Sequence, residues 1–501
     1  MERLAVADLG SNSFRLVVYA YEPGRSWAHV DEIREPVRIS EGMNGQLRPE
    51  PMRRALRTVE VFDAFCRATG VESVDAVATS AIREASNREE LLEQIAARTS
   101  IPVRVLSTQE EARYGYLAVA NSTTLVDGFG LDIGGGSVQA MRIEDRQLVA
   151  DASWALGSVR ISERFLPGDE AGPKALKALR KHVAAEAARA DWIGEGGRLV
   201  GIGGTIRNLA AAAERHAGVD HPDAQGYLLT RPALDELTDE LASMPVSKRG
   251  RVPGIKPDRG DVILGGAAVL GAFMDAGGFD ELEVTESGLR EGVFYEHYLA
   301  GSDPPLLPNV RRASVENLAN RYQYDLRHPG HVAKLSLELF DGLVRAGLYE
   351  PDDSDRELLW AACMLHDIGV VVDYDDHHKH SRYLILNAGL PGFTPREAEL
   401  VALIARYHRK GTPSVDEMGK LARKDDDLRL SVLSGTVRLA EQLERSRDGS
   451  VRSVHVRSDN GRVTVEPEAT GEASAVALWS ARRNADLLES AIERELVVGE
   501  P

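Results

Sequence analysis

The chain has 501 residues, 43% hydrophobic and 28% charged, with a formal net charge of −18. This composition excludes disorder as the main state, and no apolar run approaches the roughly 18 residues of a membrane span. The acidic balance excludes a general nucleic-acid binder, which needs a basic face, but not a polyanionic substrate met by a local cluster of Arg, Lys and His.

At about 150 residues per domain, three or four domains are expected. "MERLAVADLG" opens as a strand and lacks the apolar core and cleavage site of a signal peptide, so a cytoplasmic location with no membrane partner is expected. The two cysteines, Cys66 and Cys363, fall in apolar helical patterns and read as buried thiols.

Through about residue 300 short β-branched runs alternate with helical stretches: "RLAVADL", "RLVVYAY", "VDAVATS", "VRVLS" and "GRLVGIGG" read as strands of an α/β fold. Between the second and third of these, Met52, Ala55, Leu56, Val59, Phe62 and Phe65 recur at helical spacing, with Pro51 at the start and Gly70 at the end. One motif occurs twice. "ADLGSNSFRLVVYA" and "LDIGGGSVQAMRIE" match at Asp8/Asp132, Gly10/Gly134 and Ser13/Ser137, each leading into an alternating strand, as expected of two similar halves facing one another.

A strand ending in glycines brings backbone N–H groups to an anion without side chains in the way. Taken alone, "LDIGGGSVQA" serves equally as a hairpin turn. Its twin (Gly10, Ser11, Asn12, Ser13) and a third turn, Gly203, Gly204 and Thr205 in "LVGIGGTIRNLAAAA", favour phosphate binding by Gly134, Gly135, Gly136 and Ser137 as well. Thr205 is expected to cap a helix starting near Ile206, whose N-terminus adds donors. An acid beside phosphate requires a cation between them, so Asp8 and Asp132 imply a divalent ion, Mg2+ or Mn2+.

"DLGSNSFRLVV", "ATSAIREASN", "STQEEARYGYLAV", "LDIGGGSVQ", "GIGGTIRNLA", "PGIKPDRGDVILGGAAVL" and "VTESGLREGVFYE", in this order over residues 4 to 300, resemble the Ppx/GppA family of exopolyphosphatases and guanosine pentaphosphate phosphohydrolases. The resemblance implies two ribonuclease-H-like, actin-like halves with a phosphate cleft between them, and a homodimer. It assigns Glu111 as the general base that prepares the attacking water and Arg83 as a phosphate-binding arginine. Glu110 is explained by its place at a helix start. Arg259 and Arg290 lie in family motifs, with structural salt bridges an equal reading. Where the family has an acid, this chain has Gln139, which puts the metal site or the base arrangement in question.

The prolines of "GSDPPLLPN" end the alternation, and four stretches with helical apolar stripes follow: "HVAKLSLELFDGLVRAGL", "DRELLWAACMLHDIG", "REAELVALIARYH" and "LSVLSGTVRLAEQLERS". The histidines and acids here resemble the HD phosphohydrolase domain of long family members. That resemblance makes His328 or His331 a first metal ligand and His366 and Asp367 the signature pair, with Glu441 in place of the last aspartate. The longer side chain is expected to displace the carboxylate, which counts against a metal centre. The alternative is a basic channel for a long polyanion. It would draw on Arg327, His328, His378, Lys379, His380, Arg409 and Lys410, together with Arg321, His377, Arg406 and His408, with a solvated face as the plainer reading.

After about 450 a hairpin turning at Asp459, Asn460 and Gly461 and a helix from Ser474 to Glu495 are expected. The domains are thus residues 1–125 and 126–303 (actin-like halves), 304–447 (all-α, HD-like) and 448–501 (small α+β). The expected activity is Mg2+-dependent release of terminal orthophosphate from inorganic polyphosphate. Alternatives are hydrolysis of guanosine pentaphosphate, an actin-like sugar kinase and a non-catalytic polyphosphate-binding regulator.

Overall fold

Strand-forming runs of the first 300 residues assemble into two sheets with one plan. The structure, a computed structural model, describes residues 1–194, 196–219, 221–322, 326–459, 461–470 and 474–499. One compact unit comprises Met1–Gly218 with Asp223–Val310, and a second comprises Val219–Pro222 with Arg311–Pro501.

In the first unit, β1 (Glu2–Leu9), β2 (Phe14–Glu22), β3 (Ser26–Glu35), β4 (Ser73–Ala78) and β5 (Val103–Val105) form a sheet of order β3-β2-β1-β4-β5. The second sheet is built from β6 (Gly128–Ile133), β7 (Val138–Glu144), β8 (Gln147–Trp154), β9 (Leu199–Ile202) and β11 (Glu281–Val284), with β10 (Leu228–Thr230) at its edge, and repeats that order as β8-β7-β6-β9-β11. In each, a three-stranded antiparallel meander is extended by parallel strands. The hairpin registers agree residue for residue, with Asp8 opposite Arg15 and Asp132 opposite Gln139. These are the two similar halves expected from the repeated motif.

The helix Pro49–Thr69 buries Met52, Ala55, Leu56, Val59 and Phe62 and ends at Gly70, whose φ of +66° needs a residue without Cβ. It starts at Pro49, two residues before Pro51. The helix Thr108–Ala120, which follows the first sheet, packs on β7 and β8, while Leu289–Tyr298, which follows the second, packs on β1. The two helices cross at Gly292, where a Cβ would stand 2.0 Å from the carbonyl oxygen of Tyr114. Backbone cannot step aside as a side chain can. Gly292→Ala is therefore expected to destabilise the first unit by about 1–3 kcal/mol, read as a lowered urea midpoint; an unchanged midpoint would show that the crossing has slack.

The proline-rich segment is pinned to the first unit: buried Asn121 donates to Pro305 O at 3.0 Å and accepts from Leu307 N at 2.7 Å. In the second unit the four expected helical stretches lie in Arg327–Arg345, Asp355–Leu365, Pro395–Tyr407 and Asp426–Leu443. One core joins them to β12 (Val451–Asp459), β13 (Arg462–Ala469) and β14 (Glu495–Val498). Asn460 of the expected hairpin lies outside the described residues. The single helix expected over 474–495 is instead two, Ser474–Arg482 and Asp486–Ile492. Glu493 then takes a φ of +51° and turns the chain into β14, where Leu496 and Val498 are buried beside β13. That alternation in "ELVV" was the overlooked strand signal. Both cysteines are buried and free, and no helix among the described residues is long and apolar enough to cross a membrane.

Candidate active site

The two repeated turns are hairpin turns, and they also face one another. Gly134 N donates to Ser137 O at 3.0 Å, closing the β6–β7 turn. A Cβ on Gly134 would stand 3.2 Å from Ser137 O, and one on Gly10 the same distance from Ser13 O. The carbonyls of the glycine run are tied back to the start of the helix Ser158–Phe165: Ser158 N donates to Gly134 O and Val159 N to Gly135 O, both at 2.9 Å, and Arg160 Nε donates to Gly136 O at 3.0 Å. Gly157 permits this approach, since its Cβ would lie 2.4 Å from the backbone of Gly135. Across the cleft, a Cβ on Gly135 would be 3.6 Å from Asn12 N, and one on Gly136 2.8 Å from Ser11 Oγ. Ser11 and Ser80 share a hydroxyl hydrogen bond of 3.1 Å. Any side chain on this run would fill the space between the halves.

The third turn closes on an acid. Gly203 has a φ of +94°, and its Cβ would stand 2.6 Å from Asp132 Oδ1. The following helix starts at Gly204, under the Arg259 guanidinium, whose Nη2 is 2.6 Å from the position of a Gly204 Cβ. Thr205 does not cap that helix as expected. It lies inside the first turn, buried against Gly266, with its hydroxyl donating to Ser158 Oγ at 3.4 Å. The Gly-Gly pair had already started the helix, so the capping position falls on Gly203.

Three carboxylates converge here. Burial raises the pKa of Asp8, against Arg290 and Arg15; it also raises that of Glu111, against Arg83. Burial, then Glu111 and Asp8, pushes Asp132 up to about 7. This excess negative charge fits a divalent ion on Asp8 and Asp132, retaining waters as Mg2+ does. Glu111 is held at both oxygens: Arg83 Nη1 donates to Oε2 at 2.7 Å and Ser137 Oγ to Oε1 at 3.4 Å. The same Arg83 nitrogen also donates to Leu106 O at 2.9 Å, so Nη1 is taken up within the protein. Glu110, as expected, is structural, and forms a capping box with Ser107. Gln139, 1% exposed, donates from Nε2 to Ser137 Oγ at 2.9 Å, so the substituted position feeds the hydrogen bond that orients Glu111.

A cationic flank joins these acids. Arg290 Nη1 lies 3.3 Å from Asp8 Oδ2, placing that arginine in the site as well as in a salt bridge. Burial, with Arg34 and Arg207 nearby, lowers Arg259 to about 10. Arg15, Arg34, Arg207 and Lys256 belong to the same charged neighbourhood and were not singled out from the sequence. Two signals were present: Arg15 occupies the position matching Gln139 in the repeat, and Arg207 is one helical turn past Gly203.

In the second unit, the expected basic channel residues do not form one strip. Lys379 and Lys410 both bind Asp376, at 2.8 and 3.0 Å, and Arg409 lies over Tyr374. His378 is buried, and burial with Lys410 lowers its pKa to about 4, so it carries no charge at neutral pH. His380 packs on Gly369, whose Cβ would stand 2.8 Å from that of His380. Arg327 and His328 line a separate cavity of about 750 Å3. Nor is the Glu441 carboxylate displaced from the histidines as expected: Oε2 reaches His328 Nε2 at 3.1 Å and His366 Nε2 at 3.2 Å.

Comparison with known proteins agrees with this architecture. The sequence model of the Ppx/GppA phosphatase family matches residues 17–300, and that of Ppx/GppA phosphatase, domain III, matches residues 310–470. Among solved structures, an Aquifex aeolicus member of the Ppx/GppA family is 27% identical, with a TM-score of 0.53, covering 60% of this chain and 99% of its own. A second Aquifex aeolicus structure, of a PPX-GPPA enzyme, is 28% identical with a TM-score of 0.51, covering 58% and 98%. An exopolyphosphatase from Cytophaga hutchinsonii, 24% identical with a TM-score of 0.55 over 59% of this chain and 98% of its own, shares the fold. The chain belongs to the Ppx/GppA phosphatase family and is a hydrolase of that family.

Proposed function

We propose that the chain is a Mg2+-dependent exopolyphosphatase. The observation that carries this reading is the meeting of the two glycine turns around Glu111, Asp8 and Asp132, with an arginine-rich flank beside them. The turns and the start of the helix at Gly204 offer backbone donors to the terminal phosphates, and Arg290, Arg259 and Arg207 answer their charge. A divalent ion on Asp8 and Asp132 supplies charge neutralisation at the phosphates. Glu111 accepts the proton of a water as that water attacks the terminal phosphorus. The bond to the bridging oxygen breaks, and the products are orthophosphate and a chain shorter by one unit. Arg83 and Ser137 hold the base in place for this step. The same names support the substrate: relatives of this fold include an exopolyphosphatase.

A cavity of about 440 Å3 beside Asn12, lined by Arg38, Val159, Leu166 and Pro167, favours guanosine pentaphosphate as the second reading, because it could receive a nucleoside. Phosphate release from long polyphosphate and from guanosine pentaphosphate, measured side by side, separates the two. A higher kcat/KM for polyphosphate is expected, and a higher one for the nucleotide overturns the first reading.

Gln139→Glu would restore a carboxylate opposite Asp132. It is expected to lower the Mg2+ concentration for half-maximal phosphate release severalfold. An unchanged Mg2+ requirement would show that this position acts only through Ser137.

A further inference from the structure

The single helical turn that carries Arg259, Pro257–Arg259, is fixed from two sides. On its own half, Lys256 N donates to Asn208 Oδ1 and Asn208 Nδ2 donates to Gly204 O, both at 2.7 Å. One buried amide thus ties this turn to the helix start that Arg259 overhangs. Just past it, Gly260 lies on Gly250, where a Cβ would stand 2.7 Å from the Gly250 backbone nitrogen.

The other side is the first half. The acids flanking Arg259 are both taken by its arginines: Asp258 Oδ2 pairs with Arg34 Nη2, and Asp261 Oδ2 with Arg38 Nη1 at 3.1 Å. Arg34 lies at the end of β3. Arg38, three residues past β3, has a φ of +48°, a left-handed conformation that is strained for a residue with a branched path from Cβ to guanidinium. The strain is held in place because Val37 and Ile39 are buried on either side and Arg38 N donates to Asn12 O at 2.8 Å. Ser40 N and Oγ both donate to Ser11 O, at 3.4 and 3.3 Å. The strained segment therefore holds the first glycine turn with its backbone and the second half with a side chain.

We propose that Arg34, Arg38, Asp258 and Asp261 are positioning residues: two ion pairs between the halves that set Arg259 and the third turn at a fixed spacing from the first turn. This rests on the phosphate-hydrolysing reading given above. Each pair is partly exposed and weak by itself. What the two fix together is geometry. Phosphates gripped by both halves need both walls at one spacing, and a grip that is equal in ground and transition states is felt in KM rather than in kcat.

The direction of the effect separates this from plain electrostatics. Neutralising an acid beside a polyanion strengthens binding by charge alone, whereas losing the bridge weakens it. Full-length Asp258→Asn, Asp261→Asn and Arg38→Gln are compared with wild type, with urea midpoints to verify folding. Each is expected to raise KM for polyphosphate by roughly threefold to tenfold with kcat within about twofold. In a Glu111→Gln background, where turnover is suppressed, calorimetry should show tripolyphosphate binding weakened by the same factor. An unchanged or lower KM in either folded asparagine variant overturns the proposal, and so does a fall in kcat at constant KM. An effect confined to Arg38→Gln would make that arginine a direct phosphate contact instead. Wild-type protein that binds tripolyphosphate but releases no orthophosphate overturns only the hydrolytic reading, and the binding comparison then decides this one; no binding at all overturns both.

Discussion

Glu111→Gln is expected to lower kcat for phosphate release by about 10²- to 10⁴-fold, the range general bases contribute, while polyphosphate binding stays within about twofold. The amide is close in shape and can still accept from Arg83, so the start of the helix Thr108–Ala120 keeps its place. What is lost is the lone pair that takes the proton of water. Burial raises the pKa of this carboxyl, which brings it nearer to working pH and makes it the better base. Initial rates at saturating polyphosphate, set beside a direct binding measurement, check this outcome. An unchanged kcat would remove Glu111 from the mechanism, and a loss of binding alone would make it a phosphate-site residue.

Asp132→Asn should have two opposite effects. Asp132 titrates near 7 in the fold and at its ordinary value when unfolded, so between these pH values the native chain binds the extra proton. Stability without metal is then undiminished below about pH 4 and lost as pH rises to about 7. The asparagine cannot ionise and escapes that loss, which three pKa units would put at no more than about 4 kcal/mol. Urea unfolding in chelator at pH 8 should show the variant more stable, with the difference gone by pH 4. Added Mg2+ should stabilise the wild-type protein and not the variant. For the same reason the apparent Mg2+ affinity of the wild-type enzyme should weaken by up to about tenfold per pH unit below 7. A variant less stable than wild type at pH 8 would show that this carboxylate is already neutralised within the protein.

The duplicated core was readable because the repeat is local: Asp-x-Gly-x-x-Ser spans six residues, and hairpin geometry turns the same spacing into the same register twice. The role proposed for Glu111 was readable only through family resemblance. Its neighbours were not, since the path from Gln139 through Ser137 to Glu111 joins β7 to a helix that precedes the second sheet. Arg15, Arg207 and Lys256 reach the site by tertiary placement, and no spacing announces them. Thr205 misled because a threonine after glycines has the composition of a cap, while the backbone had started the helix two residues earlier than expected, at Gly204. Charge counting misled in the second unit. Lys379 and Lys410 look free in sequence until Asp376 is seen between them, and histidines read as a basic strip are mostly buried. The reach of Glu441 likewise depends on where its helix sits, which side-chain length alone does not reveal.

A time course of 31P NMR on long polyphosphate with the full-length protein and Mg2+ decides whether the paired turns form an active site for stepwise hydrolysis. Growth of the orthophosphate signal from the first time point, never preceded by fragments of intermediate length, and none of it with Glu111→Gln, is the predicted result. Fragments of intermediate length ahead of orthophosphate, or equal release by Glu111→Gln, would contradict it.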